Sequence, residues 1–395
     1  MKLKQSQNII KCHLCGSDDI MSFPEYSNLL RVTSDCKPWK RYGNLCLCQK
    51  CYAVQKKIEP SFFKESGIIY SNYDAYHQAQ GLDQVTFTQK NFNVTGRSET
   101  ILNSVLEKLE IPSKGFFLDI GCGKGNMLKV FSKKLPDWQL YGFDLNENRR
   151  VEIESIQNVS KYYTRDLSSI NDNFELISMI HVLEHIPQPY QYLSEIKNLL
   201  TDNGFLIIEV PDLLENPFDL LIADHTTHFT MNRLRRLLND TGFEVLLLSK
   251  NVISKELTTV VRKSRKDFSC DSRLNKQEKN IDTYIDESIN WLNWIKNKVK
   301  ELGYKDRIGL FGAGIASAWL IGESPEKIGF CVDEDAHKIN KKYFGKPVLD
   351  PSSVKSKKIF IPMPYLISQK ISKRWSGIND NIYYTTPEFV WRGLN

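Results

Sequence analysis

The sequence predicts an α/β protein with two Rossmann-like sheets and a small cysteine-bearing module ahead of them. Three observations predict it. Strand-type and helix-type segments alternate from Phe116 to Leu248, the pattern of an open parallel sheet. Strand–glycine–helix turns occur at Gly121-Cys122-Gly123-Lys124-Gly125 and again at Gly312-Ala313-Gly314. Two Cys-x-x-Cys pairs, Cys12/Cys15 and Cys48/Cys51, precede both. The expected parts are a zinc-binding module over 1–68, a central sheet domain over 69–254 and a C-terminal Rossmann-like substrate-binding domain over 255–395.

Composition narrows the function. The 395 residues are 41% hydrophobic and 25% charged, as in water-soluble globular proteins. A net charge of +6 is small for this length and is not gathered into an arm. It suits an anionic small molecule and does not indicate nucleic acid. No apolar run approaches the ~20 residues of a membrane span. The start, Met1-Lys2-Leu3-Lys4-Gln5, has no signal-peptide core. With nine cysteines the expectation is a reducing cytoplasm, where paired thiols point to metal before disulfide.

Cys12-His13-Leu14-Cys15 and Cys48-Gln49-Lys50-Cys51 each present two thiolates on a tight knuckle. Together they make the closed tetrahedral set of a structural zinc, Cys12, Cys15, Cys48 and Cys51. Cys36 and Cys46 are spare thiols that could displace one of these, and His13 is expected to point away. The metal would supply folding energy that so small a module lacks in its own core. The stretch Ile69 to Gln84 is aromatic and polar, suited to a lid over a polar ligand or to a linker. Phe92 to Leu109 reads as one or two helices, with Ile101, Leu102, Val105, Leu106 and Leu109 on one face.

Phe116-Phe117-Leu118-Asp119-Ile120 is a buried-type strand that runs into the first glycine turn. Such a turn lets backbone approach a nucleotide closely. The spacing is Gly-x-Gly-x-Gly, with Asn126 where a dinucleotide fingerprint has its third glycine. Leu118 to Gly125 resembles the first motif of class I S-adenosylmethionine-dependent methyltransferases. Asp144, which ends the next strand and precedes Leu145, lies about 20 residues on, where such an acid takes ribose hydroxyls. Asp166-Leu167 follows a third short strand, where this fold places a carboxylate for the adenine amino group. Phe174 to Ile180 is a further strand, leading to His181-Val182-Leu183-Glu184-His185-Ile186-Pro187, similar to the fourth-strand motif of many small-molecule methyltransferases. Helices are expected from Glu147 to Ile156 and from Tyr190 to Leu200, strands from Phe205 to Val210 and from Phe243 to Leu248. Ligands of such sheets sit beyond the strands' carboxyl ends, where Asp119, Asp144, Asp166 and His181 fall.

Methyl transfer needs an acceptor positioned and deprotonated, the donor being a strong electrophile. Asp219, Asp224, His225 and His228 crowd one segment on the ligand side. His225 is the expected base, with a neighbouring carboxylate to fix its tautomer. His228, beside Phe229, reads as packed, and His185 as a helix-start residue. Lys255 to Gln277 is charge-rich and reads as a junction. Ile281 to Leu302 reads as an amphipathic helix ended by Gly303. Arg307 to Ser317 carries the second glycine turn, and Ile328 to Asp333 and Ser356 to Pro362 are further strands.

Taken together, the paired cysteines, the core and the Gly312-Ala313-Gly314 domain resemble, in that order, the C-methyltransferases of nucleotide-linked keto-deoxysugars. The resemblance implies a structural zinc in the first part and S-adenosylmethionine in the middle domain, held by Asp119, Gly121, Gly123, Gly125, Asp144, Leu145, Asp166, Leu167 and His181. It implies a nucleotide sugar between the domains, and His225 after Asp224 as base at the carbon beside a ketone. His181 would lie near the sugar and Tyr76 in the lid. Ile222, Ala223 and Asp224 stand where the family carries a tyrosine and a glutamate. Two other readings therefore stay open: methylation of a hydroxyl or phosphate-type oxygen of a surface polysaccharide precursor, or a nucleotide-sugar-binding protein with a vestigial cofactor site. A monomer or homodimer is expected.

Overall fold

The computed structural model describes residues 11–73, 85–87, 94–264 and 280–389. Its centre is a seven-stranded sheet. From one edge the strands are Phe243–Ser249, Glu256–Lys263, Leu200–Pro211, Phe174–Ile180, Phe116–Ile120, Gln139–Phe143 and Val159–Tyr163. All neighbours from Leu200–Pro211 to Val159–Tyr163 pair in parallel, and Glu256–Lys263 runs antiparallel to both of its neighbours. The inner strands are almost wholly buried, which is why they read as continuous apolar runs without alternation.

The helix after the glycine turn shows why the segment folds as it does. Asn126–Lys134 puts Met127, Leu128 and Phe131 on one buried face and Lys133 and Lys134 in its last turn, where cations offset the helix dipole. Phe131 stacks on Phe117 of the first strand at 4.1 Å between ring centroids. Each such burial contributes about 1.5–3 kcal/mol.

Several expectations are corrected. The reading of Lys255 to Gln277 as a junction fails over its first part, because Glu256–Lys263 is a strand buried through Val261. Leu257 to Val261 is a β-branched, apolar run that fills the gap between two strands, and the charges of Arg262 and Lys263 at its end hid it. The division drawn at 254 therefore falls inside one sheet. The helix expected from Glu147 to Ile156 is a short 3-10 turn, Glu147–Arg149, followed by Arg150–Glu154. The helix Arg97–Leu106 starts only after the strand Val94–Gly96.

The C-terminal sheet has six strands in the order Lys342–Tyr343, Lys346–Leu349, Ile328–Val332, Ile308–Phe311, Lys358–Ile361 and Ile382–Thr385. All but the first pairing is parallel. Ile281–Leu302 is the expected long helix, with Gly303 at its C-cap. Gly303 has φ −86°, so it is not there for a left-handed turn. A Cβ would meet Lys327 at 2.8 Å, and close approach explains the glycine.

The N-terminal module contributes a four-stranded sheet, Ile20–Ser22, Cys46–Cys48, Val54–Gln55 and, from far along the chain, Thr227–His228. Its core is not its own. Cys12, Leu14, Cys48 and Cys51 pack with residues of the central sheet, and Tyr26, Leu29, Val32 and Val54 share a cluster with Phe218, Trp291 and Trp319. Among the described residues no helix is long and apolar enough to cross a membrane.

Candidate active site and metal centre

The glycine turn, the strand tips and the segment around His225 line one cleft of about 3320 Å³, which also reaches the Gly312-Ala313-Gly314 turn. Asp119, Gly121, Gly123, Asp144, Leu145, Asp166, Leu167, His181 and His225 all reach it. Gly125 stands behind: it has φ 72°, and a Cβ there would come within 2.4 Å of Ile156. Gly123 has φ 51° and nothing nearer than 3.9 Å to a built Cβ, so its bare side is open.

Asp144 accepts from the backbone N–H of Gly123 at 3.0 Å and of Asn146 at 3.0 Å. Each oxygen keeps lone pairs toward the cleft, enough for two ribose hydroxyls. Leu145 beside it is 67% exposed, an apolar surface of the kind a purine ring covers. Asp166 is exposed and accepts from Ser168 N at 3.0 Å. Asp119 is buried under the turn, where Ser178 Oγ donates to it at 2.6 Å. Burial lifts its pKa to about 7 against the Ser178 hydrogen bond, and the charge of Asp144 adds to the rise. The bare turn, the capped carboxylate and the exposed leucine fit S-adenosylmethionine.

His181 sits at φ 55°, strained for a non-glycine residue. Its Nδ1 bonds Glu184 Oε1 at 2.9 Å, and its Nε2 takes the guanidinium of Arg97. Burial lowers its pKa to about 4, so it is neutral with both ring nitrogens engaged. Arg97 also donates to Glu209 at 3.0 Å and Glu256 at 3.4 Å, and burial pushes Glu209 up to about 8 despite the arginine. Sequence reasoning missed this charge cluster, since Arg97, Glu209 and Glu256 come from three distant elements.

His225 is 3% exposed, and its Nδ1 lies 2.7 Å from Asp219 Oδ1. The other Asp219 oxygen takes His228 Nδ1 at 2.6 Å. Asp224, the expected partner of His225, faces the other way: it accepts from Ser34 N at 2.9 Å and Ser34 Oγ at 2.5 Å, and meets His185 Nδ1 at 3.4 Å. Asp224 lies in a turn with Ala223 that directs it toward Ser34, and the short turn Pro217–Leu221 folds Asp219 back toward His225 instead. The His185 ring stands edge-on to His225 at 4.6 Å and bonds Tyr70 at 3.0 Å. Burial alone would lower the His225 pKa, but Asp219, Glu184 and Asp224 outweigh it and raise the value. With Nδ1–H given to Asp219, Nε2 is left as the basic nitrogen. Tyr76 lies outside the described residues.

The Cys12, Cys15, Cys48 and Cys51 sulfurs lie within 4.8 Å of one another. Cys12–Cys51 is 3.6 Å and Cys15–Cys48 3.5 Å. A zinc–sulfur bond of about 2.3 Å gives a tetrahedral sulfur–sulfur edge of about 3.8 Å, so the four fit a zinc ion. Hydrogen bonds from Cys48 and Cys51 hold the Cys12 thiol well below the usual thiol range. His13 points away, to Thr227 Oγ1 at 2.7 Å, and Cys46 is buried against the Gln55 carbonyl.

The parallel sheet, the glycine turn and the acids at the strand tips define a nucleotide-cofactor enzyme of the α/β class. Residues 94–248 match the family described as "Methyltransferase domain", and the middle of the chain is an S-adenosylmethionine-dependent methyltransferase domain. The chain is 21% identical over 257 residues to C-methyltransferase NovU of Streptomyces niveus, covering 60% of this chain and 57% of that one. It is 25% identical over 126 residues to trans-aconitate 2-methyltransferase of Enterobacter sp. (strain 638), covering 30% of this chain and 48% of that one. The chain thus spans only about half the length of the curated relatives it matches. A solved S-adenosylmethionine-dependent methyltransferase from Clostridium acetobutylicum ATCC 824 overlaps 51% of this chain and 99% of its own at 15% identity, with a TM-score of 0.38.

Proposed function

We propose that the chain methylates a nucleotide-linked keto-deoxysugar at the carbon beside the ketone, with His225 as the base. The observation that carries this is His225 itself: a buried imidazole on the wall of the glycine-turn cleft, its Nδ1 held by Asp219 and its Nε2 free to take a proton. The similarity to a protein named as a C-methyltransferase supports carbon as the acceptor.

The Gly121–Gly123 turn and Asp144 would hold S-adenosylmethionine, which would supply an electrophilic methyl. His225 Nε2 takes the proton from the carbon beside the ketone. The electron pair left on that carbon would then take the methyl group, with the donor's sulfonium serving as leaving group. Asp219 stabilises the imidazolium formed, as the acid of a catalytic triad does. His181 and Arg97 border the acceptor side and keep a fixed polar wall. The nucleotide reaches toward Gly312-Ala313-Gly314, on the same cleft. Cys12, Cys15, Cys48 and Cys51 hold a structural zinc.

Incubation with a carbon-labelled methyl donor and candidate nucleotide sugars, followed by carbon NMR of the product, tests the reading. A new methyl on carbon is expected. A methyl on oxygen overturns the carbon acceptor and leaves His225 deprotonating a hydroxyl.

A further inference from the structure

Asp219 holds two histidines, and only one of them meets the cleft. His228 is 1% exposed, gives Nδ1 to Asp219, and its Nε2 finds no hydrogen-bond partner among the described residues. A buried imidazole with an idle nitrogen costs stability, so its Nδ1–H must be what is kept.

The chain around these residues has little regular structure of its own. Val32 N donates to Leu221 O at 2.9 Å, and Ala223 N to Val32 O at 2.7 Å. Leu220 O accepts from Tyr26 OH at 2.6 Å and from Lys56 Nζ at 2.8 Å. Lys56 N donates to Thr226 O at 3.0 Å, and Thr227 and His228 pair with Gln55 and Val54. Val54–Gln55 in turn pairs with Cys46–Cys48, which carries a cysteine of the cluster. Four hydrogen-bonded steps connect the cysteine-bearing strand to the base: strand to strand twice, then His228 to Asp219 and Asp219 to His225.

We propose that Asp219 and His228 are positioning residues that tie His225 to the four-cysteine module. The module fixes the strand Thr227–His228, His228 fixes one oxygen of Asp219, and the other oxygen fixes the ring of His225. The module thereby sets the aim and the tautomer of the base, beyond adding stability. This rests on His225 being the base.

The test uses the full chain with histidine labelled with nitrogen-15, comparing wild type, His228→Ala, His228→Asn and metal-stripped protein. An asparagine amide nitrogen occupies the place of Nδ1, so His228→Asn keeps the donor that His228→Ala removes. Expected for His228→Ala is a kcat lower by about 10- to 100-fold, unchanged affinity for S-adenosylhomocysteine, and a His225 spectrum of mixed tautomers. His228→Asn restores most of kcat and the single Nδ1–H tautomer. Stripping the metal gives the same mixed spectrum while S-adenosylhomocysteine still binds. The proposal is overturned if His228→Ala keeps kcat and the single tautomer, if His228→Asn binds S-adenosylhomocysteine yet shows no rescue, or if the His225 spectrum ignores the metal. His225→Gln separates the two claims. Full activity there sinks the base itself, whereas a dead His225→Gln beside an unaffected His228→Ala sinks only the positioning.

Discussion

His225 is basic because of the charges around it, which outweigh the effect of its burial. Asp219 faces it directly, Asp224 and Glu184 act on it through their charge, and His181, His185 and His228 are the imidazoles around it. Its pKa is raised, so the base form is lost as pH falls through a value above about 6.5. The kcat–pH profile is expected to show an acid limb there. Asp219→Asn removes the charge that raises the pKa, so the limb moves to lower pH while the plateau falls by roughly 10²- to 10⁴-fold. A limb that stays in place would assign it to another group. His225→Gln is expected to lose kcat by a similar factor with S-adenosylhomocysteine affinity, read by calorimetry, unchanged. The histidine was legible in the sequence because a histidine among acids on the ligand side is unusual. Its partner was not, since only the fold of Pro217–Leu221 decides that Asp219 turns inward and Asp224 out.

At the scale of elements, the glycine turn and its downstream acid form one unit. Asp144 both receives the Gly123 N–H and faces the cleft. Asp144→Asn keeps the shape and loses the charge-assisted acceptors, each worth about 1.5–3 kcal/mol. Isothermal titration is expected to show a loss of roughly tenfold or more in S-adenosylhomocysteine affinity. Gly125→Ala acts on folding instead. It forces a left-handed residue against Ile153 and Ile156, and a melting curve should register about 1–3 kcal/mol of destabilisation. These strands and the turn were readable because buried parallel strands are apolar throughout and glycine spacing is local. Glu256–Lys263 escaped notice because its charged end resembles the sequence that follows, although it pairs as a hairpin with the preceding strand Phe243–Ser249 as well as with Leu200–Pro211.

For the whole molecule, the order of parts was visible but their fusion was not. Composition shows where cysteines cluster. It does not show that Val32, Phe218 and Trp319 share one core, or that Arg41 reaches Glu323 at 2.6 Å across the chain. Because the module's apolar residues belong to clusters shared with the central and C-terminal parts, the module is expected to unfold together with them. Cys48→Ser, which breaks the sulfur set, is expected to lower the single melting transition of the full chain by about 5 °C or more. An early, separate transition of the module alone would contradict the shared core.

The borrowed strand Thr227–His228 has a bearing on engineering. The piece that completes the front sheet is encoded far downstream, inside the middle section. A chimera that exchanges the first seventy or so residues as a cassette would therefore arrive with a foreign groove for a native ribbon. Grafts that carry the stretch from Leu213 to Phe229 along with the front piece are the ones expected to yield working hybrids.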